Sequence, residues 1–166
     1  NGAAISIGNA TTVGSLLCSA TMTWTAGVNQ FNLVSTATGN FNITTNGITF
    51  GNPFNLGAGG AGSTFVLQDA FTTTKNFNCQ DGVTDTNGKA VSCAKFVATG
   101  GTVTLGASTI TATSATGNPF DFGVITLNAN TSTLVMSDTG AANKTFVGNG
   151  LTFNNLNITA GGAGVV

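Results

Sequence analysis

One stretch of the chain occurs twice, and this repeat constrains the fold more than any other feature of the sequence. The stretches NGITFGNPFNLGAGGAG and NGLTFNNLNITAGGAG begin at Asn46 and Asn149, 103 positions apart. The match continues upstream, so residues 23–62 and 126–164 are two copies of one module, separated by a spacer at 63–125. A repeat this close indicates a supersecondary unit that the chain uses more than once. We therefore expect residues 1–166 to form a single domain.

Short alternating runs of apolar and polar residues fill both modules. In the second copy Leu151 and Phe153 alternate with polar residues, an Asn-Asn break follows, and Leu156 and Ile158 alternate again. Alternation places each pair on one face of a strand, and the break lets the chain turn a corner while both pairs still point inward. Helical periodicity is almost absent, and Asn-Gly, Asp-Gly or Gly-Gly turns separate the runs. The predicted strands are 3–7, 12–18, 21–25, 30–35, 40–44, 48–50, 64–68, 76–79, 90–93, 102–105, 108–113, 124–127, 133–137, 144–147, 151–153 and 156–159.

Two all-β architectures satisfy this pattern. In a right-handed parallel β-solenoid, every strand pairs with the coil above and the coil below, and Thr and Asn side chains stack into hydrogen-bonded ladders. An antiparallel β-sandwich or jelly roll also uses many short strands with frequent turns. The close long-range repeat favours the solenoid, and the sandwich is the alternative.

The composition excludes some classes of partner. Charged residues make up 5% of the chain, the net charge is −1 and there is no histidine. Nucleic-acid binding needs a basic face, so we expect no nucleic-acid partner. No apolar run approaches the roughly 20 residues of a membrane-spanning helix, so we expect no membrane span. The phenylalanines fall mainly at inward strand positions, which indicates core packing rather than carbohydrate stacking.

Three cysteines raise the question of a disulfide. Cys79 and Cys93 each end a short strand-like run, NFNC and AVSC. If these runs pair, or stack on successive coils, the two thiols can meet, and a bond closing a loop of this size contributes about 3 kcal/mol. The alternative is two small buried hydrophobic side chains. Cys18 is expected to be buried and free, and the absence of histidine and of a Cys-x-x-Cys pair argues against zinc.

The acidic residues offer one weak metal candidate. Asp81, Asp85 and Asn87 carry oxygen ligands at spacings found in calcium loops, although the closing Glu of that pattern is missing. The alternative is a turn-rich loop with Asx turns. Asp69 and Asp121 each stand near an apolar residue, and we interpret them as corner residues that accept backbone N–H bonds. We therefore expect no catalytic residues and no cofactor, with calcium as the one candidate.

Several segments together resemble a known class of repeat protein. They read TFVLQDAFTTT at 64–74, TNGKAVSC at 86–93, GGTVTLGASTITAT at 100–113, TLNANTSTLVMS at 126–137 and KTFVGNGLTFNNLNITAGGAG at 144–164. This sequence resembles the Gly/Thr/Asn-rich β-helix repeat proteins of phage fibres and tailspikes and of bacterial surface proteins. The resemblance covers most of the chain from about Thr21 onward. It implies an elongated structural or adhesive element, and it carries no catalytic signature.

The expected function is therefore non-enzymatic. We expect a structural component of an extracellular assembly, a fibre, spike or decoration protein of a phage virion. The alternatives are a subunit of a bacterial or archaeal extracellular filament joined by β-strand addition, and a polysaccharide-degrading β-helix module. Partners would be copies of the chain, other structural subunits or cell-surface glycans, in a virion or outside the cell. The predicted assembly ends are Ala3, Ile5 and Ile7 at one end and Val165 and Val166 at the other.

Overall fold

The chain forms a parallel β-solenoid of about 6 turns. The structure is a computed structural model that describes residues 5–9, 15–25, 29–35, 37–57, 62–138, 140 and 142–159. Within these residues there are 19 strands and no helix. The strands are β1 (Ile5–Asn9), β2 (Ser15–Leu17), β3 (Phe31–Ser35), β4 (Gly39–Thr44), β5 (Thr49–Phe50), β6 (Phe54–Leu56), β7 (Ser63–Leu67), β8 (Phe71–Thr73), β9 (Phe77–Cys79), β10 (Val83–Asp85), β11 (Val91–Cys93), β12 (Phe96–Ala98), β13 (Thr102–Thr104), β14 (Thr109–Ala112), β15 (Gly117–Phe122), β16 (Thr126–Asn128), β17 (Thr133–Met136), β18 (Lys144–Val147) and β19 (Asn155–Ile158).

Three sheets form the walls of the solenoid. Sheet 1 has the order β1-β3-β6-β9-β12-β15-β18, sheet 2 the order β2-β4-β7-β10-β13-β16, and sheet 3 the order β5-β8-β11-β14-β17-β19. Every described pairing is parallel; for example, Phe31 pairs with Phe54 and Val83 with Thr102. One coil thus takes 23 residues in the first case and 19 in the second. The predicted solenoid is confirmed, and the antiparallel sandwich is wrong.

A column of phenylalanines runs through the core along sheet 1. Its members occupy matched positions on six successive strands: Phe31, Phe54, Phe77, Phe96, Phe120 and Phe146. Neighbouring ring centroids in the column are 4.8 to 6.4 Å apart. These distances fall within the range in which aromatic pairs attract beyond their simple burial. All 12 phenylalanines of the chain are buried in the core or packed against it, which confirms their predicted inward placement.

The outer face of sheet 1 carries an asparagine ladder. Asn55 Nδ2 donates to Asn32 Oδ1 at 2.6 Å, and Asn78 Nδ2 donates to Asn55 Oδ1 at 2.5 Å. The three residues occupy matched positions on β3, β6 and β9, so each amide lies directly above the next. The polar ladder predicted for stacked coils is present here. It satisfies side chains such as Asn55, which is buried despite facing outward.

The two repeated modules do not stack as equivalent coils. Phe31 lies in sheet 1, whereas its counterpart Leu134 lies on β17 in sheet 3. The offset between the copies is not a whole number of coils, and the second copy is therefore displaced by one sheet around the axis. The local turn is nevertheless retained, because Asn46 has φ of 49° and Asn149 has φ of 45°. The same turn thus serves two different corners of the solenoid.

The strand predictions failed mainly where strands are very short. Five strands were not predicted: β6, β8, β10, β12 and β15. Four of them are three residues long, and the fifth contains Pro119 and Asp121, which are typical of turns; length alone does not explain the misses, because strands as short as β5, β9 and β11 were predicted. Two predicted strands, 21–25 and 151–153, are not strands in the structure. Both lie in the outermost coils, where a neighbouring strand to pair with is present on one side at most.

Candidate functional site

At the β19 end of the solenoid, the inward-facing apolar side chains of the outermost coil are partly exposed. β19 pairs with β17, with Leu156 opposite Leu134 and Ile158 opposite Met136. Leu134 and Met136 are fully buried, whereas Leu156 is 39% exposed and Ile158 is 43% exposed. The difference arises because β19 is the last strand of sheet 3, so no further described strand covers its inward row. Among the described residues no strand pairs with the free side of β19, so this end presents an apolar strip beside a strand edge that can act as a template for another strand.

The opposite end of sheet 3 is closed by a tryptophan. Trp24 packs edge-on against Phe31 and Phe50, with ring centroids 5.4 and 4.8 Å away. Its indole N–H donates to Asn52 Oδ1 at 2.9 Å. Trp24 therefore occupies the place that another sheet 3 strand would take before β5, and it shields the aromatic core there. Trp24 is partly buried against the core, and it acts from a loop and not from a strand.

The predicted assembly ends are only partly described. Ile5 and Ile7 lie on β1, whose backbone pairs with β3 through Ile5–Phe31 and Ile7–Leu33. Ala3, Val165 and Val166 lie outside the described residues. β1 is the outermost strand of sheet 1 at its end, and β18 is the outermost strand of the same sheet at the other end.

The cysteines are buried in the core as free thiols. Cys79 ends β9 in sheet 1 and Cys93 ends β11 in sheet 3, and both are free, as is Cys18. The two strands neither pair with each other nor stack on successive coils, because β9 pairs with β6 and β12 whereas β11 pairs with β8 and β14. They are different walls of one coil, so neither arrangement considered for the disulfide is present, and the bond itself stays a prediction.

The apolar surroundings suppress ionisation of these thiols. Burial raises the pKa of Cys79 to about 12, with a smaller opposing effect from the Thr84 hydroxyl. Burial also raises the pKa of Cys93, and the neighbouring Cys79 raises it further. Because the thiolate is the reactive form of cysteine, both side chains behave as small hydrophobic groups at neutral pH.

The calcium candidates are engaged in turn contacts. Asp85 Oδ1 accepts the Asn87 N–H at 2.7 Å, which is an Asx turn. Asn87 Nδ2 donates to the Leu67 carbonyl of the previous coil at 3.1 Å, and Asp81 lies exposed at the corner before β10. The described residues contain no group of three or more His, Cys, Asp or Glu side chains that could hold a metal ion. Calcium binding here stays a prediction.

Asp69 holds a corner together, as the sequence predicted. Its carboxylate accepts the Thr45 N–H at 2.9 Å, the Asn46 N–H at 2.6 Å and the Thr45 hydroxyl at 3.1 Å. It thereby fixes the Asn-Gly turn of the preceding coil. The corner prediction is wrong for Asp121, which lies within β15 because strand pairing extends through Phe122; its carboxylate is 3.5 Å from the side-chain nitrogen Nδ2 of Asn118. The polysaccharide-degrading module stays an untested prediction.

Sequence reasoning missed a buried ion pair at the corner between β17 and β18. Lys144 Nζ lies 2.5 Å from Asp138 Oδ2, and the side chains are 2% and 9% exposed. The signal was present, since Lys144 precedes the inward Phe146 by two positions and so shares its face of the strand. A lysine at the start of a strand is more commonly exposed, which concealed the pattern.

No protein-family model, curated protein or solved structure matches this chain. The resemblance to phage-fibre and surface β-helix repeats stays a prediction. The described part of the chain contains no helix long and apolar enough to cross a membrane.

Proposed function

We propose that this protein is a structural component of an extracellular assembly, in the first instance a fibre, spike or decoration protein of a phage virion. The observation that carries the proposal is the uncovered inward row of β19, formed by Leu156 and Ile158. In a solenoid each coil is the template for the next, so an uncovered coil favours addition of a strand from another subunit.

The size of the apolar strip sets the strength of that contact. Covering a fully exposed Leu or Ile contributes about 1.5–3 kcal/mol, so two side chains exposed by about two fifths contribute roughly 2 kcal/mol together. Association costs about 4–15 kcal/mol in lost translational and rotational freedom. A stable contact therefore requires pairing of strand backbone across the whole cross-section. We expect association that depends strongly on concentration, or that is helped by other subunits of the assembly.

A specific observation also supports the second candidate, an extracellular filament. Sheet 1 ends in β1 at one end of the solenoid and in β18 at the other. A second copy placed with its β1 beside β18 would continue sheet 1 in the parallel sense, and further copies would extend the filament in the same way. Both candidates use the end of the solenoid that carries β18 and β19, and they differ in how many copies are joined.

The test is to place a charge on the uncovered row. Leu156→Lys should abolish concentration-dependent association in sedimentation velocity, because a buried unpaired charge is costly at a dry strand interface. Val124→Lys is the matched control, since Val124 is 88% exposed at the corner between β15 and β16. It should leave association unchanged.

Negative-stain microscopy of the same samples separates the two candidates. Long unbranched fibres favour the filament, and short particles of limited length favour the virion component. A wild-type protein that stays monomeric at every concentration, alone and with its native assembly, would contradict both.

A further inference from the structure

The corner between β17 and β18 contains a lysine and an aspartate in an unusual arrangement. Lys144 Nζ lies 2.5 Å from Asp138 Oδ2, and both side chains are almost completely removed from solvent. Lys144 starts β18, where it pairs with Gly117 of β15 and faces the core. The two residues are six positions apart in the chain, and strand pairing holds Lys144 in position.

The backbone of Gly140 contacts both members of the pair. Its N–H donates to Asp138 Oδ1 at 2.9 Å, and its carbonyl accepts from Lys144 Nζ at 2.6 Å. The two carboxyl oxygens therefore have different surroundings. Oδ1 has a backbone donor, as a carbonyl oxygen would in an oxyanion hole, while Oδ2 lies against the amine.

We propose that Lys144 and Asp138 form an intramolecular amide bond. One proton passes from the ammonium group to Oδ2, which gives a neutral amine and a neutral carboxylic acid. Nζ then attacks Asp138 Cγ while the Gly140 N–H stabilises the charge that develops on Oδ1. The Nζ–Cγ bond forms, the Cγ–Oδ2 bond breaks, and Oδ2 leaves as water with two protons, one from the acid and one from the amine.

Two features of the site favour this reaction over a simple ion pair. The reacting groups are held together by the fold, so the step has the advantage of an intramolecular reaction. The two side chains are almost completely removed from solvent, and the water that is released leaves for bulk solvent. The product would tie the first residue of β18 to the preceding corner and so brace the outermost coil. The inference does not depend on the proposed function.

The arrangement of lysines in the chain provides a direct test. The sequence has no arginine, and Lys144 is the only lysine after Lys95. Trypsin acting on unfolded protein that lacks the bond releases residues 96–144 and 145–166 separately. If the bond is present, trypsin cannot cleave after Lys144. We then expect one fragment, 96–166, lighter than its sequence by one water, with tandem mass spectrometry placing the bond between positions 138 and 144.

Control variants distinguish the amide from other losses of water. Lys144→Met and Asp138→Ala should each restore the full intact mass, whereas Lys89→Met should retain the loss. Dehydration at Asp81-Gly82 would also remove one water, but that succinimide is cleaved by hydroxylamine and leaves Lys144 open to trypsin. Recovery of residues 145–166 as a free peptide from folded, aged wild-type protein would overturn the proposal even if the variants fail to fold.

Discussion

Truncation of one phenylalanine in the middle of the aromatic column should be among the most destabilising single changes in this chain. Phe77 on β9 is fully buried, and its ring lies 6.2 Å from Phe54, 4.9 Å from Phe71 and 5.6 Å from Phe96. Buried Phe→Ala changes cost about 3–5 kcal/mol, and the cost rises with the volume of the cavity that remains. Parallel strands on both sides hold the coils at a fixed spacing, so the site cannot collapse around the missing ring.

We therefore expect Phe77→Ala to cost about 4–5 kcal/mol, near the upper end of that range. Each aromatic pair contributes about 0.5–1.5 kcal/mol beyond burial, and this substitution removes three pairs. The matched control is Phe153→Ala, because Phe153 is only partly buried in the outermost coil and contacts two rings, each 5.0 Å away. It should cost about half as much. Phe77→Leu fills most of the cavity and should recover much of the loss.

Urea unfolding followed by circular dichroism measures these costs. Repeat proteins can lose cooperativity when a central unit is weakened, so the slope m must be compared together with the midpoint. A single transition with unchanged m supports the use of midpoints to obtain free energies of unfolding. The reasoning would be refuted if Phe77→Ala cost no more than Phe153→Ala, because the core would then not depend on the continuity of the aromatic column.

Three further predictions concern corners and thiols. Gly101→Ala should destabilise the fold much more than Gly150→Ala in thermal melts. Both glycines have positive φ, a conformation that costs about 1–2 kcal/mol for Ala. A Cβ at Gly101 would also lie 2.2 Å from a backbone oxygen, whereas a Cβ at Gly150 meets nothing within 4 Å. Asp69→Ala should cost about 2–3 kcal/mol in urea unfolding, because the buried Thr45 N–H and hydroxyl lose their charged acceptor; equal stability would show that water replaces the carboxylate. The free energy of unfolding should fall as pH rises from about 9 towards 12. The unfolded chain loses the Cys79 proton in this range while the folded chain keeps it, because burial raises the pKa of Cys79 from 9.0 to about 12. This thiol contributes a slope of at most about 1.4 kcal/mol per pH unit, and Cys79→Ala should reduce the measured slope.

The strength of the local strand signal decided which strands could be predicted. Thr133–Met136 and Lys144–Val147 were recognised because apolar residues and threonine run together there between turn residues. Phe96–Ala98 was missed because the short corner before it contains no Asn or Gly, so nothing in the local sequence separates it from the preceding strand. Burial on β12 depends on the phenylalanines of the coils above and below, which the local sequence does not contain.

The candidate site was less accessible to sequence reasoning than the fold. The corner role of Asp69 could be predicted, because an acidic residue beside an apolar strand commonly accepts backbone N–H groups. The arrangement of Cys79 and Cys93 could not be predicted, because the position of the two thiols depends on which walls of the coil their strands occupy. The exposure of Leu156 and Ile158 also depends on position, because the same pattern is fully buried one coil earlier.

The sequence by itself determined the class of fold. The sequence favours a β-structure with stacked coils, since it shows alternation without helical periodicity, frequent Asn and Gly turns and inward phenylalanines. These properties act over only a few residues, so they can be recognised in the local sequence. Only the tertiary structure decided how the coils are phased around the axis. The lengths of the corners add up along the chain, so two nearly identical modules lie on different sheets, and Lys144 meets Asp138 at a buried corner. The position of a strand around the axis depends on the lengths of all the strands and corners before it, so no local sequence pattern determines that position.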